Sequence, residues 1–172
     1  MNYRAWNHRC WLISYMTIDQ VLYELKKSRS WAALHVADNC CFHYRRRLLL
    51  KILESRSPVE ETVSFGHSAD IVQALKDELD WNETLIKRYV GREALWLHRR
   101  FLSMCWINNF LIDSGDASYH PREAINTYHD FGTFLQNELC LLHSCSTFVD
   151  DDFVDVQGQA AYSASYILWL KV

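Results

Sequence analysis

The chain has 172 residues, of which 49% are hydrophobic and 14% aromatic, enough apolar material for one folded domain and too much for a disordered polymer. Its formal net charge of -3 and pI near 6.2 argue against a broad nucleic-acid-binding surface. Only 5 glycines and 2 prolines interrupt it, which favours long helices over a turn-rich sheet protein. We therefore expect an all-α fold that binds no nucleic acid.

The first predicted element is the phrase NYRAWNHRCWL at residues 2–12, which has the form of a helix capped by Asn2. Degenerate copies follow as DNCCFHYRRRL at residues 38–48, where Asp38 is the expected cap, and as REALWLHRRFL at residues 92–102. The copies share an aromatic residue (Trp6, Phe42, Trp96), then His or Tyr two positions on (His8, Tyr44, His98), then arginine (Arg9, Arg45, Arg99). The chain is therefore predicted to contain helical repeats.

Amphipathic helices are predicted between these phrases. Thr17 and Gln20 have the spacing of a capping box, which predicts a helix start. The apolar residues that follow fall on one helical face: Ile18, Val21, Leu22 and Leu25. A second apolar stripe precedes the third phrase and consists of Ile71, Leu75, Leu79, Ile86 and Tyr89. Gly91 is expected to end that helix.

Two breaks divide the later part of the chain. Residues 54–68 have no sustained period and are predicted as an inserted loop. A second break is expected around Gly115, after which Pro121 suits the first turn of a helix that runs to about Cys145. The last helix is expected over about 156–170.

Together these elements predict a single helical-repeat domain over residues 1–172. A hairpin that cannot bury its apolar face alone does so by stacking on its neighbours, which is the principle of a right-handed α–α superhelix, or solenoid. The helical segments of the repeats are expected near residues 2–15, 17–53, 69–113 and 121–171.

The residues of the repeated phrase are interpreted first as structural. The aromatic residues are expected in the core, and the arginine three positions on is expected to bond carbonyls or a carboxylate of the neighbouring hairpin. His8 and His98 are expected to be hydrogen-bonded structural histidines, because a lone histidine beside an arginine is a poor metal ligand.

The phrase NYRAWNHR at residues 2–9 resembles the protein prenyltransferase alpha-subunit repeat, whose mark is Asn-Tyr followed by Trp, a spacer, His and Arg. The phrase at 94–102 matches only the second half of this pattern, and the phrase at 38–48 keeps the aromatic residue and the arginine. Because the later copies have lost several motif residues, the chain resembles a divergent branch of the family more than its standard farnesyl- or Rab-type alpha subunits.

The resemblance implies an alpha subunit that wraps a separate, zinc-bearing beta subunit, with the Rab geranylgeranyltransferase type as the expected partner. Such a pair transfers a farnesyl or geranylgeranyl group to C-terminal cysteines of a protein substrate. Asn2, Tyr3 and Arg4 then become candidates to face the prenyl diphosphate, with Arg4 where farnesyltransferase-like members carry histidine. No catalytic residue is expected on this chain, because the family's catalytic lysine lies in a preceding repeat. No metal or cofactor is expected on it either, because the resemblance places the zinc on the beta subunit.

That preceding repeat is absent from the sequence, so a C-terminal or truncated piece is expected, with an exposed apolar face along Ala5, Leu12 and Ile13. The alternative function is a non-catalytic scaffold, a helical-repeat module for protein interactions. A cytoplasmic protein without a membrane span is expected, because no apolar run approaches the roughly 18 residues required. The six cysteines lack CxxC spacing and are expected to be reduced and mostly buried.

Two other chemistries have weaker support. The run DDFVD at residues 151–155 resembles the magnesium-binding motif of isoprenoid synthases, but a second acidic cluster is missing and a solvated acidic segment is the better interpretation. Cys140, His143 and Cys145 do not share one helical face and lack an evident fourth ligand, which argues against zinc.

Overall fold

A computed structural model of the chain describes residues 2–54, 65–112, 121–146 and 154–170. The described residues form helices joined by short turns, and no strand occurs among them. The elements are α1 (Tyr3–Leu12), a 3-10 turn (Ile13–Tyr15), α2 (Ile18–Lys27), α3 (Arg29–Leu34), α4 (Asn39–Glu54), α5 (Phe65–Arg88), α6 (Glu93–Ile112), α7 (Pro121–Ser146) and α8 (Val154–Leu170). The predicted all-α class is confirmed.

The chain divides into two compact units, Met1–Leu85 and Ile86–Val172, each with its own core. In the first unit α4 packs against α1, α2 and the 3-10 turn. The fully buried apolar side chains at its centre include Val21, Phe42, Leu48, Leu49 and Ile52. Burial of these side chains is the main stabilising contribution to this unit.

In the second unit α8 packs against both α6 and α7, and α6 also packs against α7. Its core is aromatic as well as aliphatic, with Leu95, Trp96, Leu102, Trp106, Phe134, Leu141, Leu142 and Tyr166 buried. The turn between α5 and α6 is made by Gly91, whose φ of 73° is a left-handed conformation that favours glycine.

The three predicted helix caps in the first unit are confirmed. Asn2 accepts a hydrogen bond from the backbone N–H of Ala5 at 3.2 Å. Thr17 and Gln20 form a reciprocal capping box, in which each side chain accepts a bond from the other residue's backbone N–H. The Asp38 carboxylate accepts from Cys40 N at 2.9 Å. These bonds satisfy backbone donors that a helix start otherwise leaves unpaired, so the sequence fixes where α1, α2 and α4 begin.

Several predicted boundaries differ from the structure. The segment 17–53 contains the additional six-residue helix α3 (Arg29–Leu34). Helix α5 begins at Phe65, so residues 65–68 of the range 54–68, which was predicted as loop, are helical. Residues 55–64 and the predicted break around Gly115 lie outside the described residues.

The predicted exposed face on α1 requires one correction. Ala5 and Leu12 are exposed, but Ile13 is only 3% exposed, because the 3-10 turn that follows α1 directs it against α4. The large exposed apolar side chains near this turn are instead Trp11 and Tyr15.

Buried ionisable groups predict a loss of stability at alkaline pH. Burial raises the pKa of the Cys41 thiol from 9.0 to about 12 and that of Cys105 to about 11. Burial and the neighbouring Glu138 carboxylate raise the pKa of Tyr166 above its ordinary value of 10.0. The folded state therefore holds these protons more tightly than the unfolded state does. Their stabilisation is complete below pH 9.0 and is lost as pH rises through the folded-state pKa values.

We expect the free energy of unfolding to fall above about pH 9, by about 1.4 kcal/mol per pH unit for each such group that ionises only in the unfolded chain. Urea denaturation between about pH 7 and about pH 11 measures this slope. Replacing Cys105 by alanine in the same series should make the decline shallower. A free energy that stays constant over this range would contradict the burial of these groups.

Candidate functional site

The arginine of the second repeat copy bonds a glutamate on another helix of the first unit. Arg45 Nε donates to Glu78 Oε1 at 2.8 Å and Arg45 Nη2 donates to Glu78 Oε2 at 2.6 Å. Its remaining amino group, Nη1, donates to the Leu25 carbonyl at 2.9 Å and to Ser28 Oγ at 2.7 Å. Both charged side chains are 0% exposed. This buried, bidentate pair joins α4 to α5 and α2, and the predicted bond to a carboxylate is confirmed.

The third copy repeats the arrangement in the second unit. Arg99 Nε donates to Glu138 Oε2 at 3.0 Å, and Arg99 Nη2 donates to the other carboxylate oxygen, Oε1. The Tyr166 hydroxyl donates to Glu138 Oε2 at 2.7 Å and shares a hydrogen bond with Ser103 Oγ. Because each member lies on α6, α7 or α8, this polar network holds the three helices of the unit together.

The first copy has the same pair in a more exposed setting. Arg9 Nη2 bonds Glu24 Oε1, with the two side chains 48% and 14% exposed. The Arg9 guanidinium also lies over the rings of Trp6 and Tyr44, at 5.4 and 5.0 Å from their centroids. The three copies therefore share one device, in which the arginine of the repeated phrase binds a glutamate on a later helix.

Sequence reasoning missed the glutamates of this device. A signal was present, because each is followed by leucine and preceded three positions earlier by an apolar residue, in the segments VLYEL, LKDEL and LQNEL that end at Leu25, Leu79 and Leu139. The glutamates lie 15, 33 and 39 residues after their arginines, so no fixed spacing revealed the pairing.

The aromatic residues of the repeated phrase lie at different depths. Phe42 is 0% exposed and Trp96 is 4% exposed, as expected for core residues. Trp6 is only half-buried, like the rest of α1, which has no fully buried residue. Its ring contacts Trp31 at 5.1 Å and Tyr44 at 5.7 Å between centroids.

The two histidines also differ. His98 is 0% exposed, and its ring stacks on Phe101 with centroids 6.4 Å apart. His8 is exposed and stacks on Trp11 at 5.7 Å, and no hydrogen bond of its ring to a described residue occurs. The expectation of a hydrogen-bonded structural histidine is therefore wrong for His8, because its side of α1 faces away from the first unit's core.

A buried amide organises the turn before the third copy. Gln159 Oε1 accepts from Gly91 N at 2.9 Å and from Trp96 Nε1 at 3.0 Å. Its Nε2 donates to the Ile86 carbonyl at 3.3 Å and contacts Cys145 Sγ at 3.3 Å. This single side chain of α8 thus fixes the turn and the aromatic residue that opens the third copy.

The three residues proposed from the family resemblance lie together at the start of α1. The Asn2 side chain is occupied as the helix cap. Tyr3 is 65% exposed and Arg4 is exposed, and neither side chain bonds a residue in the described ranges. Helix α1 therefore presents a phenol and a guanidinium next to the positive end of its dipole.

The alternative metal sites receive little support from the geometry. Cys140 is exposed whereas Cys145 is 3% exposed, so the two thiols do not converge with His143. No group of three ligand residues suited to a metal ion occurs among the described side chains. Asp155 lies in the first turn of α8 and bonds Arg92 at 3.2 Å, while Asp151 and Asp152 lie outside the described residues.

These features define the class of protein: an all-α helical-repeat protein in which arginines of one helix bind glutamates of another. The family model of the protein prenyltransferase alpha subunit repeat matches residues 21–52 and 75–106. Each matched segment contains the aromatic residue and arginine of one copy, whereas the first copy precedes both segments. The chain therefore contains repeats of the protein prenyltransferase alpha subunit family, and the resemblance predicted from the repeated phrase is confirmed.

Curated relatives agree with this assignment. The chain is 32% identical over 173 aligned residues to protein prenyltransferase alpha subunit repeat-containing protein 1 of Danio rerio, an alignment that covers 89% of this chain and 40% of the relative. It is 29% identical over 127 residues to the Homo sapiens protein of that name, covering 59% of this chain and 31% of the relative. The chain thus spans about two fifths of the fish relative's length, and the similarity is to the divergent branch predicted above.

No helix among the described residues is both long and apolar enough to cross a bilayer.

Proposed function

We propose that this chain acts as an alpha subunit, or part of one, in a heterodimeric protein prenyltransferase. In this proposal it pairs with a beta subunit of the Rab geranylgeranyltransferase type and supports transfer of a farnesyl or geranylgeranyl group to C-terminal cysteines of a protein substrate. The observation that carries the proposal is the match of two segments, residues 21–52 and 75–106, to the prenyltransferase alpha subunit repeat. The proposed setting is the cytoplasm.

The start of α1 supports a role near the prenyl diphosphate. Arg4 is exposed and unpaired among the described residues, so its guanidinium is available to a phosphate oxygen. The Tyr3 hydroxyl, on a side chain 65% exposed, can donate a further hydrogen bond. Both groups would stabilise charge that builds on the diphosphate as the carbon–oxygen bond to the prenyl group breaks. The zinc that activates the acceptor thiol would belong to the beta subunit.

Arg4→Ala and Tyr3→Phe are expected to weaken the use of prenyl diphosphate more than they weaken assembly. Loss of a charged hydrogen-bond donor should raise KM for the prenyl diphosphate about tenfold in the Arg4 variant. The assay is transfer of a labelled prenyl group to a cysteine-ended protein, with the full chain co-expressed with a beta subunit. Lys26→Ala, which removes another exposed cation, is the matched control.

If Arg4→Ala and Tyr3→Phe reduced complex formation and transfer equally, these residues would be structural and the proposed diphosphate contact would be wrong. Unchanged KM values in both variants would also contradict it. A normal KM in the Lys26 variant is needed to exclude a general effect of surface charge.

The second candidate function is a helical-repeat scaffold without an enzymatic partner. It is favoured by the exposed aromatic side chains of the first unit, Trp11, Tyr15 and Tyr23, which are 56%, 69% and 65% exposed. Exposed aromatic clusters are typical of protein-interaction surfaces. The two functions differ in one observable: a scaffold does not bind a prenyltransferase beta subunit.

A further inference from the structure

A shallow groove in the first unit lies between the 3-10 turn and the first two turns of α2. Its volume is about 530 Å³, and we call it the tyrosine groove; its lining residues are Leu12, Tyr15, Met16, Asp19, Gln20, Tyr23 and Glu24. Tyr15 and Tyr23 are about two-thirds exposed, and Trp11 extends the aromatic surface through its contact with Tyr15 at 4.7 Å. The repeat device uses only Glu24 from this set, so the groove is otherwise unexplained.

The groove offers hydrogen-bond donors between apolar surfaces. Gln20 Oε1 is occupied by the Thr17 backbone N–H at 2.9 Å, which leaves the amide NH2 group as a donor. The hydroxyls of Tyr15 and Tyr23 make no hydrogen bond with a residue in the described part of the chain. A ligand that fits this groove therefore presents hydrogen-bond acceptors alternating with apolar groups.

The charge of the groove is acidic. Asp19 and Glu24 are its two charged lining residues, and no cation lines it. Glu24 is neutralised by Arg9, whereas the exposed Asp19 carboxylate forms no ion pair with any described residue. Lys27 lies outside the lining, with its ammonium 5.7 Å from the Tyr23 ring centroid on one face of the ring. The complement of Asp19 is a cationic side chain of the ligand.

We infer that the tyrosine groove binds an extended, proline-rich protein segment that carries a flanking arginine or lysine. A polyproline II segment has no internal hydrogen bonds, so its carbonyls accept bonds from Tyr15, Gln20 and Tyr23. Its proline rings pack on the exposed tyrosine faces, and its cation pairs with Asp19. An amphipathic helix satisfies its own carbonyls and leaves those donors unused. This inference goes beyond the proposed prenyltransferase role and does not depend on it.

The test is fluorescence anisotropy with the full chain and a fluorescein-labelled peptide that contains two Pro-x-x-Pro steps and one terminal arginine. Saturable binding is expected. Tyr23→Ala should weaken it at least about tenfold, because an exposed aromatic anchor is lost. Asp19→Asn should weaken it by up to about fivefold, and only for the peptide with arginine, not for its arginine-to-glutamate version. Leu34→Ala, which removes an apolar side chain 78% exposed outside this groove, should leave binding unchanged.

Three results would overturn the inference. The first is the absence of saturable binding by the proline-rich peptide. The second is equal binding of a control peptide with all prolines replaced by alanine, which would indicate a helical ligand. The third is a concentration-dependent dimer in light scattering that Tyr23→Ala abolishes, which would indicate that a second copy fills the groove. Circular dichroism and thermal melting of Tyr23→Ala and Asp19→Asn establish that altered binding does not reflect unfolding.

Discussion

Replacing Arg45 by methionine is expected to destabilise the chain by about 3–5 kcal/mol, because it removes the bidentate guanidinium partner of the buried Glu78 carboxylate. The half-buried Arg29 bonds the same carboxylate only at 3.4 Å and does not replace that pair. The Arg45 and Glu78 side chains are both 0% exposed, so water cannot replace the guanidinium. The same change also removes the donors to the Leu25 carbonyl and to Ser28. Urea denaturation followed by circular dichroism measures the difference in unfolding free energy.

Two controls separate the lost ion pair from the lost side-chain volume. The double variant Arg45→Met with Glu78→Leu should recover most of the stability, since two apolar side chains of similar size replace a buried pair at little cost. Arg9→Met breaks the equivalent pair of the first copy, where the arginine side chain is 48% exposed, and should cost no more than about 1 kcal/mol. Equal losses in Arg45→Met and Arg9→Met would contradict the role of burial.

Gly91→Ala is the second change with a large expected effect. The backbone of Gly91 has a φ of 73°, and an alanine Cβ would lie 2.5 Å from the carbonyl oxygen of Asp155. A left-handed conformation costs a non-glycine residue about 1–2 kcal/mol, and the contact forces a backbone shift in addition. We expect a total loss of about 3 kcal/mol or more in thermal or urea unfolding, together with a weaker bond from the residue 91 N–H to Gln159.

Gly132 is the matched control. It lies on α7 with nothing within 4 Å of the position that a Cβ would take, so alanine fits there without strain. Gly132→Ala should stabilise the chain by roughly 0.5–1 kcal/mol, because alanine loses less backbone entropy in a helix. If Gly91→Ala were as well tolerated as Gly132→Ala, the close approach of α8 to the α5–α6 turn would be wrong.

The helix starts and the apolar faces could be predicted from sequence because they depend on local spacing. Asn2, Thr17 and Asp38 cap the helices that follow them directly. Of the predicted stripe, Ile71, Leu75, Leu79 and Ile86 are buried as its period indicates, whereas Tyr89 follows the end of α5 and is only half-buried. The short helix α3 could not be predicted, since six residues are too few to establish a helical period. Ile13 was misplaced because its burial comes from packing of the 3-10 turn against α4, which a helical period cannot reveal.

The pairing partners could not be predicted because they are brought together by tertiary packing. The arginine positions were identified by their repetition, but Glu24, Glu78 and Glu138 lie at unequal distances along the chain. Gln159 belongs to no sequence motif. Its role depends on contacts with four groups from separate segments, which are the Gly91 N–H, Trp96 Nε1, the Ile86 carbonyl and Cys145 Sγ. Tyr3 and Arg4 are candidates for the diphosphate site only through the family resemblance. Exposed residues without partners in the fold produce no hydrophobic period from which a site could be predicted.

Whether these repeats form one subunit of a prenyltransferase is measured most directly by the mass of the co-purified complex. The full chain is co-expressed with a Rab-type beta subunit, and light scattering coupled to size-exclusion chromatography determines the stoichiometry. We predict a one-to-one heterodimer that persists on dilution to about micromolar concentration, as expected for a stable interface. The result that would contradict a prenyltransferase role is separate elution of the two chains. If this chain eluted separately from the Rab-type beta subunit and also from the farnesyl- and geranylgeranyl-type beta subunits, the scaffold function would be the remaining candidate.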